Sequence, residues 1–254
     1  MAIDYTKRPG STPGGRPEDS RPGVPPAGNF PPPDPAAAAG FSPPAPPAGV
    51  NLSKVTLTKG APAVSLSKGA QGGGLMKVNL NWSARQPGAK KGFFARLVAQ
   101  DDTDLDLGCL YERMDGTKGV IQALGNSFGS LDGEPYVFLD GDDRSGAVSG
   151  GENMMINFSA GGGFRRVLIF AMIYSGAANW AAADGVVTLY PAVGPEIEVR
   201  LDASDSQARI CAIALLQDRG GDLEVRREVS YINGNQAALD RQYGWGLDWT
   251  PGRK

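Results

Sequence analysis

The pattern of apolar and polar positions divides the chain near Val50. Upstream, large apolar residues are sparse and prolines cluster, as in Phe30-Pro31-Pro32-Pro33-Asp34-Pro35 and Ser42-Pro43-Pro44-Ala45-Pro46-Pro47. Proline fixes φ and removes the donor that helices and sheets need. Residues 1–48 are therefore expected to form a disordered, polyproline-leaning tail. Downstream, apolar and polar residues alternate. Val55-Thr56-Leu57-Thr58-Lys59-Gly60 is echoed by Val64-Ser65-Leu66-Ser67-Lys68-Gly69, and each reads as a half-buried strand closed by a turn. Met76, Val78, Leu80 and Trp82 alternate with Lys77, Asn79 and Asn81, which predicts a strand with one face inward.

Other segments are apolar without alternation. Residues 165–174 predict a strand buried on both faces, with Arg165-Arg166 at a strand edge. Residues 186–190, 197–201, 209–216 and 223–231 predict further strands, and 93–99 suits strand or helix. Residues 179–184 suggest one helical turn and 236–241 a short helix. Trp245 and Trp249, in a glycine-rich aromatic tail, are expected to cover the core. Many short strands with little helix predict an all-β, antiparallel β-sandwich over residues 49–254. A segment of about 200 residues can bury an adequate core.

Composition narrows the chemistry. The 36 glycines and 20 prolines fit a fold of many turns. A net charge of −2 gives no general basic field for nucleic acid. No run approaches the roughly 18 apolar residues of a transmembrane segment. The polar start Met1-Ala2-Ile3-Asp4-Tyr5-Thr6-Lys7-Arg8-Pro9 lacks an apolar signal region, so the expectation is cytoplasmic, with peripheral membrane association left open. Cys109 and Cys211 lie in apolar runs and are expected to be buried, reduced thiols. The chain has no histidine, which excludes Ser-His-Asp and Cys-His catalysis and histidine-bound zinc. Any metal should therefore be held by oxygen.

The richest candidate chemistry lies in residues 139–153, a glycine-rich acidic stretch between two strand-like runs. Asp140, Asp142 and Asp143 repel one another unless a cation sits among them. A hard cation such as Ca²⁺ takes six to eight oxygens from carboxylates and carbonyls. The stretch is not an EF-hand: counted from Asp140, Arg144 falls at position 5, Ser145 at 6 and Gly151 at 12. Asp, Ser and Gly also make ordinary turns, so a turn without metal is the competing reading. Asp104-Leu105-Asp106 forms a second acidic element, in which alternation sets both carboxylates opposite Leu105. Exposed strand ends carry such aspartates too.

Together these segments resemble the tellurium-resistance (Ter) stress-protein family and its TerD-like domain, most closely the TerA-type members. The resemblance rests on the two Lys-Gly strands, Val78-Asn79-Leu80-Asn81-Trp82, Asp104-Leu105-Asp106, Asp140-Gly141-Asp142-Asp143-Arg144-Ser145-Gly146, Gly150-Gly151-Glu152-Asn153 and Tyr243-Gly244-Trp245-Gly246. It spans residues 50–254 and leaves the proline-rich tail outside. It implies a β-sandwich that binds Ca²⁺ through two acidic loops, a role in tellurite and related stress, and no established enzymatic activity. Asp104 and Asp106 match the first acidic element, and Asp142 and Asp143 the second. Family members continue Gly-Asp-Asp-Glu where this chain has Gly150-Gly151-Glu152-Asn153, so one ion site is expected to be weakened.

The expected metal set is Asp104, Asp106, Asp140, Asp142, Asp143, Glu152 and Asn153, with Ca²⁺ as the ion and no catalytic residue. The function expected is a non-enzymatic, Ca²⁺-linked binding or scaffold module. Its partners would be other stress-response proteins, Ter-family members among them, and the tail offers a ligand to a proline-recognising partner. The alternatives are a metal-free interaction module and a hydrolase working through two carboxylates.

Overall fold

The computed structural model describes residues 54–67, 74–82, 103–141, 151–205 and 207–249. The expected tail, the segment 93–99, and Asp142 and Asp143 lie outside the described residues.

Two sheets face one another. The first has seven strands in the order β1 (Lys54–Thr56), β11 (Glu196–Leu201), β10 (Gly185–Tyr190), β3 (Leu75–Asn81), β8 (Glu152–Asn157), β7 (Val137–Leu139) and β6 (Gly129–Ser130). The second has six: β2 (Ala63–Ser67), β13 (Asp222–Ile232), β12 (Ile210–Asp218), β9 (Phe164–Ser175), β4 (Asp104–Arg113) and β5 (Lys118–Gln122). Two helices, α1 (Trp180–Ala183) and α2 (Gln236–Tyr243), complete the described elements. The expected antiparallel sandwich is what forms, apart from a parallel β1–β11 pair at one sheet edge.

The two Lys-Gly repeats do not form a hairpin. β1 joins the first sheet beside β11, whereas β2 pairs with β13 in the second. The intervening residues turn on Thr58, whose N–H donates to Ala61 O at 3.2 Å and whose hydroxyl accepts from Ala61 N at 3.2 Å.

The sheets bury different amounts of their surface, and this explains the two polarity patterns. In β3, the inward Met76, Val78 and Leu80 are fully buried while the alternate positions face outward. In β4 every residue is buried. Leu105, Leu107 and Cys109 enter the core between the sheets. Leu110 points the other way, into a second cluster with Leu168, Phe170, Ile210 and Ala212 beneath Leu239 of α2 and Trp245. Strands buried on both faces need apolar residues at nearly every position. Gly108 is part of this packing, because a Cβ there would lie 2.4 Å from Phe170 Cζ.

The layer over the second sheet is fixed by directed bonds. Asn235 caps α2, and Gly244 ends it at φ 61°, the left-handed conformation that glycine adopts without penalty. Asp240 then accepts from the N–H groups of Gly246 and Leu247, each at 2.8 Å, and from Trp249 Nε1 at 2.9 Å. Trp245 is buried and donates from Nε1 to Tyr111 O at 2.9 Å. The Arg166 guanidinium stacks over the Trp245 ring at 3.8 Å, donates to Tyr243 O and Gly244 O, and pairs with Glu112 at 2.7 Å. The two tryptophans do cover a core. Arg165-Arg166, expected at a strand edge, lie at the start of β9, an interior strand between β12 and β4.

Cys109 and Cys211 are free, buried thiols, and burial pushes both above the ordinary thiol range. Among the described residues no helix is long and apolar enough to cross a membrane.

Candidate functional site

The acidic stretch leaves β7 at Asp140 and re-enters the sheet at β8. Glu152 and Asn153, read from sequence as loop residues, are the first residues of that strand. Being adjacent in a strand, they point to opposite faces, and this divides the predicted set in two.

The outward half is a polar clasp at the base of the loop. Asp140 N–H donates to Asn153 O at 3.0 Å. The Asp140 carboxylate accepts from Asn153 N–H at 3.1 Å and from Asn153 Nδ2 at 2.9 Å. Asn153 Oδ1 accepts in turn from Asn79 Nδ2 at 2.9 Å. Asp140 thus ties the loop's first residue to the strand that follows it.

The inward half joins the sheets. Glu152 follows the alternation of Met154 and Ile156, so its side chain enters the sandwich and is 1% exposed. Its Oε2 accepts from Leu107 N–H at 2.6 Å. Pairing between β4 and β5 begins only at Gly108, so Leu107 lies past the end of that ladder and Glu152 supplies an acceptor. A carboxylate accepting from N–H at this distance is a strong, charge-assisted bond. Asp106, the residue before Leu107, is 3% exposed, and Asp104 is 4% exposed. A register shift between Asp104 and Leu105 bends the start of β4. The reading of these aspartates as solvent-exposed strand ends is therefore overturned. Burying ionised carboxylates costs several kcal/mol each unless charge or hydrogen bonds compensate (order of magnitude).

The structure thus places Glu152 against β4 at the Leu107 N–H, and Asp140 against Asn153. It does not draw all the predicted ligands to one point. Among the described residues, no three Asp, Glu or Cys side chains converge closely enough to hold a metal ion. The donors are oxygens throughout, which suits a hard cation, but a complete site would need oxygens from the loop that carries Asp142 and Asp143.

Gly151 explains the departure from Gly-Asp-Asp-Glu. It has φ 60°, and a Cβ there would lie 2.1 Å from Leu80 O. With this backbone course only glycine passes β3, so the position cannot carry a ligand side chain. Sequence reasoning missed Asn79 and the Leu107 N–H. Asparagine recurring in a strand was the available signal for Asn79, because it is a poor strand former; that Leu107 lies past the end of the β4–β5 ladder leaves no mark in sequence.

No protein-family model matches the chain. Two solved structures align with part of the chain. SAV2460, a protein of unknown function, aligns at TM-score 0.49 and 15% identity over 68% of this chain and 98% of its own. A TerD homologue, SCO6318 from Streptomyces coelicolor A3(2), aligns at 0.46 and 16% over 70% and 100%. The tellurium resistance protein TerA of Alcaligenes sp is 45% identical over 207 residues, which is 81% of this chain and 60% of that protein's length. Over those 207 residues the chain belongs to the tellurium-resistance (Ter) family.

Proposed function

We propose that the protein is a non-enzymatic, calcium-linked binding module of the tellurite stress response. The observation that carries this reading is the cross-sheet bond from Glu152 to Leu107, made beside the buried Asp106 at the foot of an acidic loop. The fold spends a buried carboxylate to tie that foot to the second sheet. Glu152 would hold the ion together with Asp142 and Asp143 from the loop, while Asp106, which alternates with the core residues Leu105 and Leu107 and so faces away from them, would add negative charge with Asp104 at the start of β4. Ca²⁺ would supply positive charge that offsets their mutual repulsion. Asp140 and Asn153 are committed to each other and act as the clasp that positions the loop. Ordering the loop would shape a surface for protein partners of the same stress response in the cytoplasm.

The hydrolase reading is weaker on this geometry. A carboxylate that exchanges protons must reach substrate, whereas Glu152 is bound to a backbone N–H and Asp140 to Asn153. The metal-free module draws support from the lack of a three-carboxylate cluster among the described residues.

Thermal melts of the full chain in EDTA, in millimolar Ca²⁺ and in millimolar Mg²⁺ separate these readings. Free ligand at 100 times its Kd stabilises the native state by about 2.7 kcal/mol. That corresponds to roughly 5–10 °C in Tm for a chain of this size. A Ca²⁺-specific rise, lost in the Asp142→Ala/Asp143→Ala double variant, is expected. No rise with either ion overturns the calcium reading and leaves the metal-free module.

A further inference from the structure

The outer face of the seven-stranded sheet carries an open groove with a cavity volume of about 320 Å³, lined by Asn79, Asn81, Trp82, Asp184, Val186, Thr188 and Tyr190. We infer that this groove between β3 and β10 is a binding site for a neutral saccharide ring, recognised by the amide of Asn81, the carboxylate of Asp184, the hydroxyl of Thr188 and the ring of Tyr190. The inference does not depend on calcium.

Register builds the groove. Asn81 pairs with Val186, Asn79 with Thr188, and Lys77 with Tyr190, so three cross-strand pairs set their outward side chains in successive rows. The amides are there against local preference. Asparagine is depleted in strands, on a scale that spans about 1 kcal/mol, yet β3 and β8 together hold Asn79, Asn81, Asn153 and Asn157. Three of these are used internally: Asn153 clasps Asp140, Asn79 donates to Asn153, and Asn157 Oδ1 accepts from Ser159 N–H at 3.2 Å. Asn81 is solvent-exposed and takes no such structural bond among the described residues. Its two amide donors and one acceptor stand at the groove.

Asp184 adds a second oddity. It follows α1 at φ 50°, the left-handed position where helices usually carry glycine or asparagine. A carboxylate is kept where glycine would be less strained, and it lines the groove.

The lining selects the ligand class. Its one charged residue is acidic, which disfavours phosphates and carboxylates. Amide, carboxylate and hydroxyl groups bond to paired ring hydroxyls through planar or rotatable donor–acceptor pairs. The Tyr190 ring, 36% exposed with Lys77 Nζ 5.8 Å from its centroid, gives a flat surface for the C–H side of a ring. The volume lies at the low end of the ~300–1,000 Å³ of small-molecule sites, which suits one or two pyranose rings.

The test is a ¹H–¹⁵N NMR titration of the full chain with glucose, galactose, N-acetylglucosamine, maltose and trehalose, and with inorganic phosphate as the anionic control. At least one sugar should move the Asn81 side-chain amide and the backbone amides of Thr188 and Tyr190. Its affinity should fall tenfold or more in both Asn81→Ala and Tyr190→Ala, while their melting temperatures stay within a few degrees of the parent. Three results overturn the inference: no sugar moves these resonances, the shifts survive both variants, or phosphate moves them and no sugar does. Asn81 and Tyr190 are both on the solvent face, so a failure to bind is not a failure to fold.

Discussion

Glu152→Gln is the most discriminating perturbation of the cross-sheet link, because its effect should change with calcium. The glutamine is nearly isosteric and can still accept from Leu107 N–H, now 2.6 Å from the carboxylate. Replacing a charged acceptor by a neutral one lowers the bond's net contribution by about 1 kcal/mol. Against this stands repulsion from the buried carboxylates of Asp104 and Asp106. At an effective dielectric of about 20, repulsion between two like charges falls from about 4 kcal/mol at 4 Å in inverse proportion to their separation, so it is of the same order as the change in the bond. In EDTA the two effects nearly cancel, so the variant should melt within about 3 °C of the parent. In saturating Ca²⁺ the repulsion is already offset in the parent, and the variant loses both the stronger bond and one anionic ligand. The gap should widen by at least about 1.4 kcal/mol, a tenfold loss in Ca²⁺ affinity. Thermal melts of both proteins in EDTA and in Ca²⁺, with calorimetric titration for the affinity, give the four numbers required. An equal gap in the two conditions would show that Glu152 is only a structural acceptor, and the reasoning from charge would fail.

Three other outcomes follow from particular contacts. Asp240→Ala removes the acceptor for Gly246, Leu247 and Trp249 together; it should cost about 2–4 kcal/mol and red-shift tryptophan emission, and unchanged emission would count against the clamp. Lys54→Ala probes Glu198, whose carboxyl is held below its ordinary range chiefly by the Lys54 hydrogen bond, with Arg200 assisting and burial opposing. A lowered folded-state pKa stabilises above the unfolded value and is lost as pH falls through the folded one; Lys54 is half-exposed, so the variant should cost about 0.2–1 kcal/mol near neutrality, and a gap in denaturation midpoint that persists at strongly acidic pH refutes the pairing. Gly151→Asp, which superficially restores the family's acidic pattern, should destabilise the fold without tightening Ca²⁺ binding, since its Cβ would meet Leu80 O at 2.1 Å; tighter binding would show that the backbone yields.

What the sequence revealed depended on how each strand is buried. β3 was legible because only one of its faces is covered, so Met76, Val78 and Leu80 alternate cleanly with Lys77 and Asn79. β9 and β12 appeared as unbroken apolar runs because α2 and Trp245 cover the far side of their sheet. The pairing of β1 with β11 and of β2 with β13 was not legible, since identical Lys-Gly patterns carry no label for the sheet they join. At the site, residue types singled out Asp104, Asp106 and Glu152, and the structure buries all three. Their burial was hidden because aspartate at a strand start reads as solvent-facing unless the partner across the sandwich is known. The opposite facing of Glu152 and Asn153 was available in principle from period-two alternation, had the strand been started two residues earlier.

The sandwich is asymmetric, and that asymmetry directs where recognition can occur. The outer face of the six-stranded sheet is closed by α2 and the aromatic segment after it, held through Asp240, Arg166 and Trp245 with three kinds of bond. Covering that face allows Glu112 to sit 9% exposed among Arg165, Arg166 and Lys118, an arrangement that stabilises rather than binds. The outer face of the seven-stranded sheet has no such layer among the described elements, and it carries Phe138, Met155, Lys77 and Tyr190 in one row and Asn153, Asn79 and Thr188 in the next. The acidic loop meets this open face through Asp140, Asn153 and Asn79, in an unbroken run of hydrogen bonds. Among the described residues, this run of bonds links the foot of the loop to the Asn79 amide at the groove, and Glu152 links it to the covered sheet. Partner and ligand binding are accordingly expected on the open sheet, with the covered sheet serving as the rigid wall behind it.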